Sequence, residues 1–322
     1  MSDTPIPSPK TAEPDGVLIL DKPAGITSFD CVAKIRRLYH TKKVGHTGTL
    51  DPMATGVLPI LLGRAAKAAE YLTAEDKRYT ATLRLGMTTD SEDTSGAVLS
   101  TCDDIPDEDA VRAAVLSFLG ESEQVPPMYS ALKVNGQKLC DLARQGITVE
   151  RKPRPITISA ISCKKQDRSC DKHDSRTYTL DVSCSKGTYI RTLCADIGKK
   201  LACGGCMASL RRTQSGNFTL AGAYTLDALE AMTDDERLAL LCPTERLFAD
   251  LDNIVLPSFY ERLCDNGQEI YLAKLYRGRI PDGFAIGQKL RITGENKGFF
   301  ALGEVVMKDN SLAVRAVKKF VI

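Results

Sequence analysis

Apolar positions change their period several times along the chain, and each change marks an element. Residues 16–21 (Gly-Val-Leu-Ile-Leu-Asp) form a short apolar run before the Lys22-Pro23-Ala24-Gly25 turn, which predicts a strand. Val32, Ile35 and Leu38 recur at helical spacing and predict a helix over 29–39 with Ser28 as its N-cap. Arg64 to Leu72 reads as a second helix. Tyr79 to Leu85 alternates Tyr, Ala, Leu, Leu against Thr, Thr, Arg, the period-2 pattern of a half-buried strand. Asp107 introduces a helix running to Leu119. Residues 155–163 and 176–184 read as strands joined by the polar loop Lys164–Ser175, and Thr188 to Leu201 as a helix with Arg191 one turn in. Strands mixed with helices, without regular alternation, predict an α+β domain around a mixed sheet.

After residue 250 the pattern becomes short apolar runs separated by glycine: 285–287, 289–292, 299–302, 303–306 and 312–315. This predicts a small C-terminal β-barrel. The expected division is a disordered tail over 1–15, a large domain over 16–250 and the small one over 251–322. A chain of 322 residues suffices for one large core and a small second domain. No apolar run reaches membrane-spanning length, and the polar, proline-bearing N-terminus lacks a signal-peptide core, so a cytoplasmic location is expected.

Eleven cysteines, an odd number without framework spacing, read as reduced thiols. Cys203-Gly-Gly-Cys206 reads as a glycine-rich turn between helices. The three histidines, His40, His46 and His173, are scattered, so no metal site is expected. Net charge is only +2, but its distribution is uneven. Residues 16–85 hold eleven Lys and Arg against six Asp and Glu, and residues 133–215 hold seventeen against seven. Residues 90–125 hold one against ten, and 216–250 two against seven. Two basic blocks of this kind suit a phosphate backbone.

The most informative stretch is Gly45-His46-Thr47-Gly48-Thr49-Leu50-Asp51-Pro52-Met53-Ala54-Thr55-Gly56-Val57-Leu58-Pro59. It sets Asp51 between glycine-containing turns, against a proline that keeps it out of helical geometry. A carboxylate aimed in this way beside an apolar run suits a nucleophile or a base. An Asp capping a tight turn has the same local signature.

This stretch resembles, almost residue for residue, the active-site motif of the TruB family of tRNA pseudouridine synthases. Further resemblances follow in the family's order: Gly16 to Ser28 with Lys22-Pro23; Asp76 to Gly86 with Tyr79, then Thr89-Asp90; Pro126 to Lys133; Ser185 to Leu193 with Arg191; and Leu210-Arg211-Arg212-Thr213. They span residues 16 to 215. The resemblance implies a metal-free, cofactor-free enzyme that isomerises uridine-55 in the tRNA T-arm, with Asp51 as nucleophile attacking C1′ or C6. It implies Arg191 as the partner of Asp51, Tyr79 stacked on the target uracil and acting as a base on a proton of the intermediate, and Tyr189 lining the same pocket. His46 is expected to contact the flipped nucleotide, Leu210 to form an apolar wall, and Arg211 and Arg212 to contact phosphates. Lys22 belongs to a motif whose role is more structural than chemical. The C-terminal barrel resembles the RNA-binding PUA type. The chain ends without a lysine-rich tail, so the stand-alone bacterial type and a monomer are expected, with no membrane partner.

Two other readings share these residues: an RNA-binding or tRNA-folding module with catalysis secondary, and a glycoside hydrolase. The second needs a further carboxylic acid, and none of Asp21, Asp76 and Asp90 matches one.

Overall fold

The structure, a computed structural model, describes residues 13–71, 76–134, 136–166 and 176–321. Most of the expected N-terminal tail, Leu72, and the greater part of the 164–175 loop with His173 lie outside the described residues.

Among these residues nine strands build one sheet. Its path is Gly16–Lys22, Thr55–Leu62, Gly205–Ser215, Lys77–Leu85, Thr177–Cys184, Arg154–Lys165 and Gly120–Gln124. Val44–His46 pairs with Thr55–Leu62, and Phe218–Thr219 with Gly205–Ser215. Every pairing is antiparallel except one: Arg211 and Arg212 run parallel to Thr55 and Gly56. The sheet is therefore mixed, as the sequence predicts, and its parallel joint lies where the chain leaves the Asp51 loop. Gly56 belongs to that joint because a Cβ there would lie 2.2 Å from the Arg212 carbonyl oxygen.

The strands Gly16–Lys22 and Thr55–Leu62 are apolar on both faces because both faces are covered. Leu18, Leu20, Leu58 and Ile60 join a core with Ile35 of the helix Ser28–Leu38 and Ile197 of the helix Ile190–Lys200. Val17, Ile19, Val57 and Leu61 turn the other way, onto Phe248, Leu302 and Phe320.

The C-terminal residues form a curled five-stranded half-barrel in the order Asn253–Leu256, Lys289–Gly294, Gly298–Lys308, Ser311–Lys319, Ile270–Tyr271. The glycine-separated runs at 299–302 and 303–306 are a single strand here, and 285–287 is a turn. Gly303 sits mid-strand because a Cβ would lie 2.7 Å from Ile292 Cδ1. The hairpin is instead turned by Asp309 and Asn310, both at positive φ.

Other boundaries also move. Thr27, not Ser28, caps the first helix: its hydroxyl accepts from the Asp30 N–H while Asp30 reaches back, a capping box. Residues Gly63–Tyr71 wind as 3-10 turns rather than an α-helix. Asp107 caps the helix Glu108–Leu116 as expected. The Arg191 helix starts at Ile190, so Arg191 lies in its first turn. Cys203-Gly-Gly-Cys206 joins that helix to a strand rather than to another helix, because residues from Gly205 onward pair with Lys77–Leu85.

Candidate active site

Asp51 stands at the bend between Val44–His46 and Thr55–Leu62, in a loop gripped by buried side chains. Lys22, wholly buried, donates to the carbonyls of Pro23 (2.9 Å), Pro52 (3.1 Å) and Ala54 (2.7 Å). Ser28, freed from capping, accepts from the Leu50 N–H (2.9 Å) and donates to the Leu50 carbonyl (3.1 Å). Arg212, also wholly buried, donates from Nε to the Val57 carbonyl (2.7 Å) and from Nη2 to that of Gly48 (3.1 Å). A buried cation is costly unless its donors are filled, and here they are filled by the backbone on both sides of Asp51. The loop is held rigid before any substrate arrives.

Arg191 reaches the carboxylate from the first turn of its helix. Its Nε lies 2.9 Å from Asp51 Oδ2 and its Nη2 3.4 Å from Oδ1, a two-point contact. Its remaining donors go to the carbonyls of Ser91 (3.0 Å) and Tyr129 (2.7 Å). The Arg191 side chain is 5% exposed, whereas the Asp51 side chain is 36% exposed, so the acid is open on one side. Burial pushes the Asp51 carboxyl above the usual aspartate range, and Arg191 opposes that shift. A second carboxylate, Asp93, lies 4.0 Å from Arg191 Nε. It accepts from the Ser91 hydroxyl and from both the N–H and hydroxyl of Ser95.

Two tyrosines face the same region, and both feel the Asp51 charge. Tyr79 is buried on Lys77–Leu85, between Val182 and Arg212. Burial pushes its phenol up, while the neighbouring Arg212 pulls it down. Tyr189 precedes the Arg191 helix as its N-cap residue, half-buried, with its phenol also raised by burial. Burial and Arg212 lower the His46 imidazole below its usual range. His46 Nδ1 and Thr47 Oγ1 are buried with no hydrogen-bond partner among the described residues.

The structure thus gathers Asp51, Tyr79, Tyr189 and Arg191, with His46 at the start of the Asp51 loop and Leu210 buried opposite Ala81. Lys22 holds the frame, in keeping with the structural role its motif suggests, and Arg212, expected at phosphates, is buried in the frame as well. Strand alternation explains the difference between the paired arginines: Leu210 and Arg212 turn to the buried face and Arg211 to the other. Arg211 is half-exposed, donates to Asp21 (2.7 Å) and Thr55 (3.3 Å), and lines a cleft of about 300 Å³ with Lys34 and Asp227 that adjoins the loop. Sequence reasoning passed over Ser28's grip on Leu50, Asp93 and Gln124. Asp93 lies in a short polar turn whose pattern signals nothing beyond a turn.

Two family models match the chain: "TruB family pseudouridylate synthase (N terminal domain)" over residues 36–190, and "tRNA pseudouridylate synthase B C-terminal domain" over 191–258. The chain belongs to the TruB family of pseudouridylate synthases. This makes it an isomerase. Relatives named tRNA pseudouridine synthase B include that of Burkholderia mallei (strain NCTC 10247), 49% identical over 86% of this chain and 89% of its own length. That of Clostridium kluyveri is 43% identical over 88% and 96%. Among solved structures, an H/ACA RNP bound to a substrate RNA containing 2′-deoxyuridine has a chain matching with a TM-score of 0.70 at 24% identity, over 96% of this synthase and 86% of that chain. The archaeal box H/ACA sRNP Nop10-Cbf5 complex matches at 0.66 and 26%, over the same shares. These likenesses take in the half-barrel as well as the main sheet. Among the described residues no helix is long and apolar enough to cross a membrane.

Proposed function

We propose that this synthase converts uridine-55 of tRNA to pseudouridine, drawing the base out of the T-arm loop and attacking it with Asp51. The two-point Asp51–Arg191 pair carries this reading. It offers a carboxylate that is fixed, open on one side and made more basic by burial.

The reaction is an isomerisation, so its atoms balance without oxidant, reductant or net water. The N1–C1′ bond breaks, the uracil turns, and C5 bonds to C1′ as the C5 proton leaves and N1 takes up a proton. Asp51 forms the covalent bond that holds the intermediate, at C1′ or at C6. Tyr79 stacks on the uracil, and the frame of Lys22, Ser28 and Arg212 keeps the acid aimed while the base moves. Extruding a stacked uridine costs roughly a few kcal/mol. Contacts to His46 and Thr47 offset that cost, since each presents an unpartnered buried polar atom. The basic blocks follow the phosphate backbone, and the half-barrel acts as a PUA-like RNA-binding unit.

The test is incubation of unmodified tRNA with the pure protein, followed by mass-spectrometric mapping of pseudouridine. Pseudouridine at position 55 alone is the expected result; none, or modification spread over other uridines, would overturn the reading.

A further inference from the structure

We infer that Gln124 is a positioning residue for this reaction: its side-chain amide fixes the start of the helix that delivers Tyr189 and Arg191. The inference rests on the function proposed above. Gln124 ends the edge strand Gly120–Gln124, where a glutamine ordinarily faces solvent, yet it is only 4% exposed. Both of its polar side-chain atoms meet a single residue. Oε1 accepts from the Tyr189 N–H (2.8 Å), and Nε2 donates to the Tyr189 carbonyl (3.1 Å). A primary amide has the hydrogen-bonding pattern of a peptide group, so Gln124 does for Tyr189 what a neighbouring strand would do.

The grip reaches the catalytic pair through short links. Tyr189 has no side-chain cap of its own, and its carbonyl also accepts the first helical bond, from the Leu193 N–H (3.0 Å). Gln124 therefore holds the carbonyl on which the first turn is built, two residues before Arg191. The same segment returns five residues later, where the Tyr129 carbonyl accepts from Arg191 Nη2. Between them, Arg151 Nη1 donates to the Pro126 carbonyl (3.0 Å) and steadies the run. Residues 124–129 thus hold the backbone of Tyr189 and the guanidinium of Arg191 together. Removing the amide leaves the Tyr189 N–H unpaired and frees the helix start to shift, and with it the two-point contact on Asp51.

Two substitutions test this. Gln124→Met keeps the length and loses both hydrogen bonds. Gln124→Glu keeps the acceptor and loses the donor, which protonation at low pH restores. For Gln124→Met, hydrogen exchange at the Tyr189 amide should accelerate. The single-turnover rate should fall about a hundredfold, the scale of a misplacement near 1 Å, with tRNA affinity within about twofold of wild type. For Gln124→Glu, the rate relative to wild type should rise as pH falls. The proposal is overturned by unchanged Tyr189 exchange in Gln124→Met, by a rate within about twofold of wild type, or by a Gln124→Glu pH profile parallel to wild type. Should Gln124→Met fail to fold, the Gln124→Glu profile decides alone. If the wild-type protein forms no pseudouridine, the functional reading has failed, and Tyr189 exchange still judges the clamp.

Discussion

Two influences meet on Asp51. Burial favours its protonated form and Arg191 its charged form, and burial dominates. In the proposed mechanism Asp51 attacks only when ionised, so activity should disappear as pH falls through the raised pKa. The acid limb of the single-turnover rate should therefore lie above the ordinary aspartate value of about 3.9. Arg191→Lys keeps a positive charge and loses the planar fork that meets both carboxylate oxygens. Its limb should move to still higher pH, and its rate should fall at least about tenfold at neutral pH. Stopped reactions sampled over a pH series read both quantities. A limb at the ordinary value together with a near-normal Arg191→Lys rate would remove the clamp from the mechanism.

At the scale of elements, the site depends on how the Asp51 loop rejoins the sheet. Gly56 carries φ +104° and has the Arg212 backbone against it, so no side chain fits. Gly56→Ala should destabilise the fold by about 3 kcal/mol or more, since it combines backbone strain with a forced shift at the parallel joint. Urea unfolding measures this, and a loss below about 1 kcal/mol would mean the joint yields easily. Elements with a strong period were legible in the sequence: Tyr79–Leu85 alternates as it should, and the first helix begins within one residue of expectation. Its cap was not, because Thr27 and Ser28 are both good capping residues and only the fold shows that Ser28 is needed at Leu50. Glycine misled at Gly303, where it makes room for Ile292 rather than a turn. The Asp51–Arg191 pair spans 140 residues. No periodicity reports such a contact, and its partners came to notice through the family resemblance. Asp93 and Gln124 lie outside the residues that carried that resemblance, and their importance rests on side-chain contacts made across the fold.

The whole molecule joins its two large sheets through an apolar seam. Phe248, Phe299 and Phe320 pack with ring centroids 5.5–5.9 Å apart, beneath Val17 and Ile19 of the catalytic sheet. Ion pairs between Arg291 and Glu245 and between Lys318 and Glu70 border it. These pairs are partly exposed and contribute little on their own. The aromatic seam makes the half-barrel a cover for the back of the sheet whose loops hold Asp51. In the proposed function, the framework around the loop serves to present one carboxylate to one uridine. The most direct test is the single-turnover reaction of Asp51→Asn on unmodified tRNA at saturating enzyme. The substitution keeps shape and removes the nucleophile, so pseudouridine should be absent while circular dichroism is unchanged and tRNA affinity stays within about twofold of wild type. Pseudouridine formed above background by the folded Asp51→Asn protein would contradict the account.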